Sequence, residues 1–325
     1  MTGITYRSET IRSVAVVGAG LIGGAWAAFF LSRGLDVKVF DVDPHGNEKL
    51  HETVAHALAD LEQLGPVNVA GTDRLTFSTD LVAVLKDCDY VQENALEKLS
   101  LKQALLKEIT DLTPADVVIG SSTSSFRPSE LQAGGGDAAR IVVAHPFNPP
   151  HLLPLVEIVA SPASDPAAQD AAYRFFERLG KAPIRITREA SGHVANRMTA
   201  ALWREAVHIV AEGIASVEDV DRAIRFGPGL RWAIDGPHML YHLGGGEGGI
   251  EHYLRHLGPA QEARWRTLGN PSLTDDVRQL LVDGVKAEAA GRSIGALGAR
   301  RDRNLIALLK VLEAEDRRQR DEAAE

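Results

Sequence analysis

The sequence predicts an α/β protein in which a doubly wound, mostly parallel sheet is followed by an all-helical C-terminal domain. Three observations lead to this prediction. The stretch from Val14 to Asp41 has the pattern strand, glycine-rich turn, helix, strand, and short apolar runs then alternate with helical segments as far as residue 187. From Ser191 onward the apolar spacing is that of helices only. We therefore predict two domains, at residues 1–189 and 190–325.

The first strand-turn-helix unit carries the motif Gly18-x-Gly20-x-x-Gly23. Gly18 allows the tight turn, Gly20 leaves room for a pyrophosphate, and Gly23 lets the helix pack closely on the strand. Unpaired N–H groups where the helix starts, at Leu21 and Ile22, would face the phosphates. Because the motif follows a strand and opens a helix, it predicts a Rossmann-type dinucleotide-binding domain.

Asp41 lies at the end of the second apolar run, about 20 residues after the glycines. Its carboxylate can accept hydrogen bonds from both ribose hydroxyls, whereas it would repel a 2′-phosphate. Asp43 adds negative charge and no arginine follows at once. The cofactor predicted from these residues is NAD rather than NADP.

The amino-acid composition restricts the classes of function that the protein can have. The net charge of −9 argues against a general role in binding nucleic acid or a membrane surface. Cys88 is the only cysteine, so no intrachain disulfide can form, and we expect it to be a buried small apolar residue in a reducing cytosol. No apolar run is long enough to span a membrane, and the first residues lack the apolar segment of a signal peptide. We expect a cytoplasmic protein, and no metal-ligand spacing is evident.

Apolar periodicity and turn residues predict the remaining elements. Strands are predicted near 75–77, 90–91, 117–119, 141–144, 155–159 and 183–187. Helices are predicted at 48–64, 81–85, 100–112, 166–179, 194–213, 275–290 and 296–318. Ser100 is the predicted N-cap of the third. A further helix is predicted to begin at the capping box of Ser216. The glycine-rich segments around Gly227 and Gly244 are interpreted as irregular connections.

His145 is the strongest candidate for acid–base chemistry among the eleven histidines. It ends a predicted strand that follows a run of five hydroxyl residues, 121–125. Oxidation of an alcohol needs a group that removes the hydroxyl proton, and imidazole suits that task near neutral pH. Glu157, on the adjoining strand, could accept the other ring N–H and stabilise the imidazolium. A structural histidine remains the alternative from the residues alone.

Four separated segments resemble the 3-hydroxyacyl-CoA dehydrogenase family in order and spacing, namely 122–125, 144–149, 155–159 and 192–197. The resemblance implies an NAD-binding Rossmann domain and a helical domain that mediates homodimerisation. It also implies that His145 is the general acid/base with Glu157 as its partner. The resemblance further implies that Ser124 and Asn196 hydrogen-bond the reacting oxygen. It also implies that Glu97 and Lys102 lie near the cofactor.

The resemblance also bears on the substrate. Family members that use CoA have a long, lysine-rich helical insertion in the first domain, whereas residues 44–73 are short and carry one lysine against five acids. Segments 124–130, 225–232, 244–249 and 292–294, with Arg301-Asp302 beyond, are similar to those of members that act on a small free 3-hydroxy acid, with L-carnitine favoured. Departures at Pro150-His151 and at 235–238 weaken that assignment. The alternatives are L-gulonate, a short-chain 3-hydroxyacyl-CoA, and a crystallin-like structural protein that binds a dinucleotide without catalysis.

A substrate with a quaternary ammonium and a carboxylate would need two further contacts. Aromatic faces hold a quaternary ammonium well, so Phe147, Trp232, Tyr241 and Tyr253 are candidate cage residues. Arg127 or Arg231 could receive the carboxylate. The alternative for the aromatic residues is packing in the core or at a subunit interface. The alternative for the arginines is a structural salt bridge.

Overall fold

The computed structural model describes residues 4–67 and 72–324, which divide into two compact units. The first unit contains the residues up to Arg197 together with Asp302–Lys310, and the second contains Met198–Arg301 together with the residues from Val311 onward. The first unit therefore includes a short piece of the last helix. The single domain boundary near residue 189 stays a prediction.

The first unit is built on one eight-stranded sheet with the order β3-β2-β1-β4-β5-β6-β7-β8. All neighbouring strands are parallel except β6 and β7, which are antiparallel. This confirms the predicted doubly wound, mostly parallel sheet. The strands are β1 Ser13–Val17, β2 Asp36–Phe40, β3 Leu75–Ser78, β4 Tyr90–Glu93, β5 Val118–Ser121, β6 Ile141–Pro146, β7 Leu155–Val159 and β8 Ala182–Ile186.

Helices cover both faces of the sheet, so successive residues of a strand enter different cores. Val14 and Val16 of β1 belong to one buried cluster, and Ala15 and Val17 belong to the other. The helices of this unit are α1 Leu21–Ser32, α2 Gly46–Leu64, α3 Leu81–Leu85, α4 Leu99–Leu112, α5 Pro128–Gln132 and α6 Pro166–Arg178. The predicted N-cap Ser100 is wrong: α4 begins one residue earlier and Lys98 is its N-cap.

The antiparallel step between β6 and β7 arises from the short connection of residues 147–154. A parallel return would need a crossover of a dozen or more residues, which this connection is too short to provide. The resulting register sets His145 directly opposite Glu157. Side chains that are directly opposite on an antiparallel pair lie on the same face and can interact.

The remaining elements are all helical, as the sequence predicts. They are α7 Ala195–Ala211, α8 Val217–Phe226, α9 Pro228–Trp232, α10 Pro237–Leu243, α11 Gly249–Trp265, α12 Asp275–Ala289 and α13 Ile294–Ala324. Helices α9, α10 and α11 occupy a region that the sequence analysis treats as irregular. Pro228 and Pro237 stand in the first turn of helices, where proline is tolerated, and do not break them. Among the described residues, no helix is both long and apolar enough to cross a membrane.

Candidate active site

The turn between β1 and α1 has a backbone that requires glycine at two positions. Gly18 has φ +103°, and a Cβ atom there would lie 2.7 Å from the carbonyl oxygen of Asn94. A Cβ atom on Gly23 would lie 1.9 Å from the carbonyl oxygen of Gly18. A Cβ atom on Gly20 would meet no protein atom within 4 Å, so this position faces open space. Because no side chain in the described part of the chain caps the start of α1, its N–H groups are available to an anion in that space.

Asp41 lies beside this turn and holds its shape. One carboxylate oxygen accepts the N–H of Ala19 at 2.7 Å, and the other accepts the N–H of Asp43 at 3.0 Å. Asp41 and Gly18 line a cavity of about 580 Å³ whose far wall is apolar, with Leu81 and Leu101. An apolar slot next to a carboxylate suits the adenine and ribose of a dinucleotide.

A second cavity, of about 480 Å³, shares Ala95 with the first. It lies at the carboxyl ends of the central strands, where ligands bind in open α/β sheets. Its lining residues are Ile22, Asn94, Ala95, Glu97, Lys102, Ser122, Ser124, His145, Pro146, Phe147, Asn148 and Asn196. The structure thus brings together seven of the residues that the sequence analysis names. The two adjoining cavities fit the two halves of NAD.

His145 and Glu157 form a buried pair at the wall of the second cavity. The Nδ1 atom of His145 lies 2.8 Å from Oε2 of Glu157, which is fully buried. The other oxygen of Glu157 accepts the N–H groups of Val194 and Ala195 at 2.8 and 2.9 Å, where α7 begins. Facing a carboxylate, Nδ1 carries the proton, which leaves Nε2 as the basic nitrogen of the neutral ring. Both ring orientation and tautomer are therefore set by Glu157.

Opposing effects act on the proton affinity of Glu157. Burial by itself raises the pKa of this carboxyl, but hydrogen bonds from His145, Ala195 and Val194 lower it by more, so the net pKa is below its ordinary value. The group is ionised at neutral pH. A buried carboxylate that keeps its charge can stabilise a positive imidazolium.

Glu97 organises the turn that carries Ser124. Its Oε1 atom accepts the hydroxyl of Thr123 at 2.7 Å and the N–H groups of Ser124 and Ser125 at 2.9 and 3.0 Å. Burial raises the pKa of Glu97, but these bonds and the charge of Lys102 outweigh it and lower the net pKa. The run of hydroxyl residues is therefore held as one turn around a single carboxylate.

Lys102 has partners that the sequence did not reveal. Its ammonium donates to Oε1 of Glu93 at 2.8 Å and to the carbonyl of Ala95 at 3.0 Å, and it lies 3.4 Å from Oε2 of Glu97. Glu93 is fully buried and also accepts the hydroxyl of Ser121 at 2.5 Å. Through its bond to the carbonyl of Ala95, Lys102 connects this ion pair to a residue that lines both cavities. The sequence analysis does not name Glu93, which the structure places at the end of β4.

His193 is a second residue that the sequence analysis passed over. Its ring is buried, its centroid lies 5.1 Å from that of His145, and its Nε2 atom is 3.0 Å from the carbonyl oxygen of Thr123. The residue belongs to 192–197, one of the four segments that resemble the family, but the sequence analysis gave His193 itself no role. Phe147 packs edge-on against His145 from another direction, with 6.2 Å between ring centroids.

Arg127 lies outside the cavity that contains His145. Its Nε atom donates to Glu130 at 2.9 Å within the first turn of α5, and it lines a different cavity with Ser161 and Arg188. Arg127 therefore does not line the cavity that His145 lines, and its role as receiver of a substrate carboxylate stays a prediction. Sequence could not distinguish these two fates of an arginine.

The second unit contains the other predicted substrate residues. The rings of Tyr241 and Tyr253 are 4.9 Å apart, and both hydroxyls accept the side-chain amide of Gln261, at 3.2 and 2.8 Å. Arg231 and Trp232 are exposed on α9. Their assignment to the substrate stays a prediction. Among residues 4–67 and 72–324, no cluster of histidine, cysteine, aspartate and glutamate is arranged to hold a metal ion.

Comparison with known families is decisive for the class of protein. Residues 13–190 match the NAD binding domain of 3-hydroxyacyl-CoA dehydrogenase, and residues 192–277 match its C-terminal domain. The chain belongs to the 3-hydroxyacyl-CoA dehydrogenase family. This confirms the resemblance seen in the sequence, and it makes the protein an NAD-dependent dehydrogenase.

Several relatives within this family are similar over nearly their whole length. An L-carnitine dehydrogenase from Nocardiopsis dassonvillei is 46% identical over 97% of this chain and 96% of its own. An L-carnitine dehydrogenase from Bacillus cereus is 40% identical over 94% of both chains. The enzyme of that name from Pseudomonas putida is 40% identical over 94% of this chain and 95% of its own.

Two solved structures illustrate the similarity of the fold. A 5-formyl-3-hydroxy-2-methylpyridine 4-carboxylic acid 5-dehydrogenase, described as an NAD⁺-dependent dismutase, superimposes with a TM-score of 0.80 at 27% identity, over 94% of this chain and 99% of its own. A (S)-3-hydroxybutyryl-CoA dehydrogenase from Ralstonia eutropha has a TM-score of 0.62 at 30% identity, over 78% and 88% of the two chains.

Proposed function

We propose that this family member oxidises the 3-hydroxyl of L-carnitine to the 3-keto acid with NAD as the hydride acceptor. One observation carries the reaction type: the buried His145–Glu157 pair stands at the wall of a cavity that adjoins the glycine turn. The substrate is inferred from the similarity to L-carnitine dehydrogenases over nearly the whole chain.

In the proposed reaction, His145 acts as the general base. Its Nε2 atom takes the hydroxyl proton while the hydrogen on C3 leaves with its electron pair, so that a carbonyl forms. Bound NAD supplies the acceptor for that hydride. Glu157 holds the proton on Nδ1 and stabilises the imidazolium, while Ser124 and Asn196 hydrogen-bond the reacting oxygen as it becomes a carbonyl. In the reverse direction the imidazolium returns the proton.

The residues proposed to hold NAD fall into three groups. The start of α1 offers N–H groups to the pyrophosphate, Asp41 offers its carboxylate to the adenosine ribose, and the carboxylate–ammonium pair at the other end borders the nicotinamide half. In full, these residues are Gly18, Gly20, Leu21, Ile22, Gly23, Asp41, Glu97 and Lys102. Phe147 is the proposed aromatic contact of the substrate's ammonium, because it lines the same cavity as His145.

A parallel assay tests the substrate. NADH formation is measured with L-carnitine, L-gulonate and 3-hydroxybutyryl-CoA at equal concentration. We expect L-carnitine to have the highest kcat/KM, because the first domain lacks the lysine-rich insertion that would suit a CoA phosphate. Turnover of the CoA ester alone would refute the assignment, and turnover of L-gulonate alone would reassign the substrate within the same reaction.

Asp41→Ala should relax the choice of cofactor. Loss of the carboxylate removes hydrogen bonds to the ribose and the repulsion of a 2′-phosphate, so the ratio of kcat/KM for NAD to that for NADP should fall by about tenfold or more. The matched control is Asp43→Ala, which removes the neighbouring carboxylate that accepts the N–H of His45. An unchanged ratio in the Asp41 variant would place selectivity elsewhere.

We also propose that the protein is a homodimer formed through the helical domain. Residues 198–301 expose many large apolar side chains, including Trp203, Trp232, Leu254 and Trp265. Large apolar side chains that are exposed on helices are typical of subunit interfaces. Light scattering after size exclusion should give about 70 kDa, twice the 35.0 kDa of the chain. A mass near that of one chain at micromolar concentration would contradict the proposal.

The cytoplasm is the proposed location. The single cysteine fits a reducing compartment, where NAD-linked oxidation of small metabolites is also supplied with cofactor. Cys88 is buried, as the sequence predicts, and burial raises the pKa of its thiol to about 12, so the thiol stays protonated. Fractionation of the native host, with activity followed in the soluble and membrane fractions, tests this location.

A further inference from the structure

The peptide bond between Thr123 and Ser124 is held at both of its polar atoms. Its carbonyl oxygen, which belongs to Thr123, accepts a hydrogen bond from Nε2 of His193 at 3.0 Å. Its N–H, which belongs to Ser124, donates to Oε1 of Glu97 at 2.9 Å. Because a peptide unit is planar and rigid, two bonds at its opposite ends fix its orientation and thereby the Cα atom of Ser124.

His193 also lies next to the His145–Glu157 pair. Its buried ring packs beside that of His145, with 5.1 Å between centroids and 46° between planes. The next two residues, Val194 and Ala195, donate their N–H groups to Glu157. The backbone of His193 has φ +52°, in the left-handed region that residues other than glycine seldom adopt. Such a conformation persists where the surrounding contacts impose it.

The chemistry of the ring is defined by these contacts. Since Nε2 faces a carbonyl oxygen, it must carry the proton and donate it. The Nδ1 atom is buried and has no hydrogen-bond partner among the described residues, which is compatible with a neutral ring and not with an imidazolium. Burial lowers the pKa of His193, and the nearby His145 lowers it further, against the opposing effects of the Thr123 carbonyl, Glu157 and Glu97.

We propose that His193 is a positioning residue that aligns the Ser124 hydroxyl with the His145 imidazole through its bond to the Thr123 carbonyl. The inference rests on the proposed function of Ser124 and His145 and adds the group that holds them in one geometry. His193 does not line the cavity itself, so it acts through Ser124 and not on substrate. A shift in this peptide plane would move Ser124 away from the reacting oxygen and leave the glycine turn unaffected.

Two substitutions separate the hydrogen bond from ring packing. Glutamine can place an amide N–H where Nε2 lies, whereas phenylalanine fills the same space without a donor. We expect His193→Phe to lower kcat by about tenfold, the equivalent of one hydrogen bond, with KM and Kd for NAD within about twofold of wild type. His193→Gln should restore kcat to within about threefold. Equal kcat values in the two variants, or a loss that falls on NAD binding, would overturn the proposal.

A double-mutant cycle with Ser124→Ala tests whether His193 acts through Ser124. In the Ser124→Ala background, His193→Phe should lower kcat by less than about twofold, because the hydroxyl that it aligns is absent. A full tenfold loss in both backgrounds would show that the two residues act independently and would refute the mechanism. The cycle uses whichever 3-hydroxy acid the parallel assay identifies, so a wrong substrate does not affect its outcome.

A spectroscopic measurement needs no turnover and so distinguishes failure of this inference from failure of the proposed function. In protein labelled with ¹⁵N-histidine, long-range ¹H–¹⁵N spectra should show His193 as the neutral Nε2–H tautomer between pH 6 and 8. The signal is assigned by its loss in His193→Gln. A positively charged ring, or the Nδ1–H tautomer, would exclude the bond to Thr123 even if the enzyme oxidises L-carnitine. If Phe at 193 prevents folding, the Gln variant and this spectrum still decide the question.

Discussion

His145→Gln should abolish nearly all turnover while NAD still binds. Glutamine has an amide nitrogen in place of Nε2 and cannot accept the hydroxyl proton at neutral pH, so kcat should fall by about 10²–10⁴-fold. The residues proposed to bind NAD lie on the first βα turn, just after β2, and just before and within α4, and they do not depend on the imidazole. The measurement is steady-state NADH formation, together with NAD binding followed by tryptophan fluorescence.

The control for this experiment is His51→Gln, which makes the same chemical change on the exposed side of α2. It should retain wild-type kcat. Wild-type activity in His145→Gln would remove His145 from its proposed role. If His145→Gln also loses NAD binding, the substitution has disturbed the fold of the site and the catalytic assignment fails this test.

Glu157→Gln should give the second-largest loss. The buried carboxylate accepts three hydrogen bonds, from Nδ1 of His145 and from the N–H groups of Val194 and Ala195. An amide presents an oxygen on one side only, so its NH₂ must face a donor, or His145 must move its proton to Nε2 and lose its basic nitrogen. We expect kcat to fall by about 10²-fold or more, because the imidazolium also loses its counter-charge.

The same substitution should destabilise the fold in a pH-dependent manner. Because the pKa of Glu157 is lower in the folded state than the unperturbed value of about 4.3, its carboxylate stabilises the protein at pH values above the unfolded pKa. That contribution is lost as the pH falls through the folded pKa. Relative to wild type, Glu157→Gln should therefore lose about 1–3 kcal/mol of unfolding free energy at pH 7 and less than that below pH 4.

Urea titrations at pH 7, 5 and 3.5 measure this difference. Glu62→Gln, on the exposed side of α2, is the matched control and should change the unfolding free energy little at any of these pH values. If the difference in unfolding free energy between wild type and Glu157→Gln does not shrink on acidification, the ionised form of Glu157 does not stabilise the fold, and the prediction is wrong.

The sequence by itself was sufficient for features that depend on local geometry. The glycine turn is determined by backbone requirements at Gly18 and Gly23, which only glycine meets. The alternation of strands and helices follows from apolar periodicity, and so does the change to helices after Ser191. His145 and Glu157 could be foreseen as neighbours because both lie on consecutive strands with a short connection between them.

Only the tertiary structure decided which polar groups meet across long sequence separations. His193 binds the carbonyl of a residue 70 positions away, and Trp26 donates to Ser122 across 96 positions. The same holds for Arg127, because only the structure showed that it lines a different cavity from His145. Side-chain hydrogen bonds between distant segments leave no periodicity in the sequence. They are selected by the packing of the sheet and its helices, which brings those segments together.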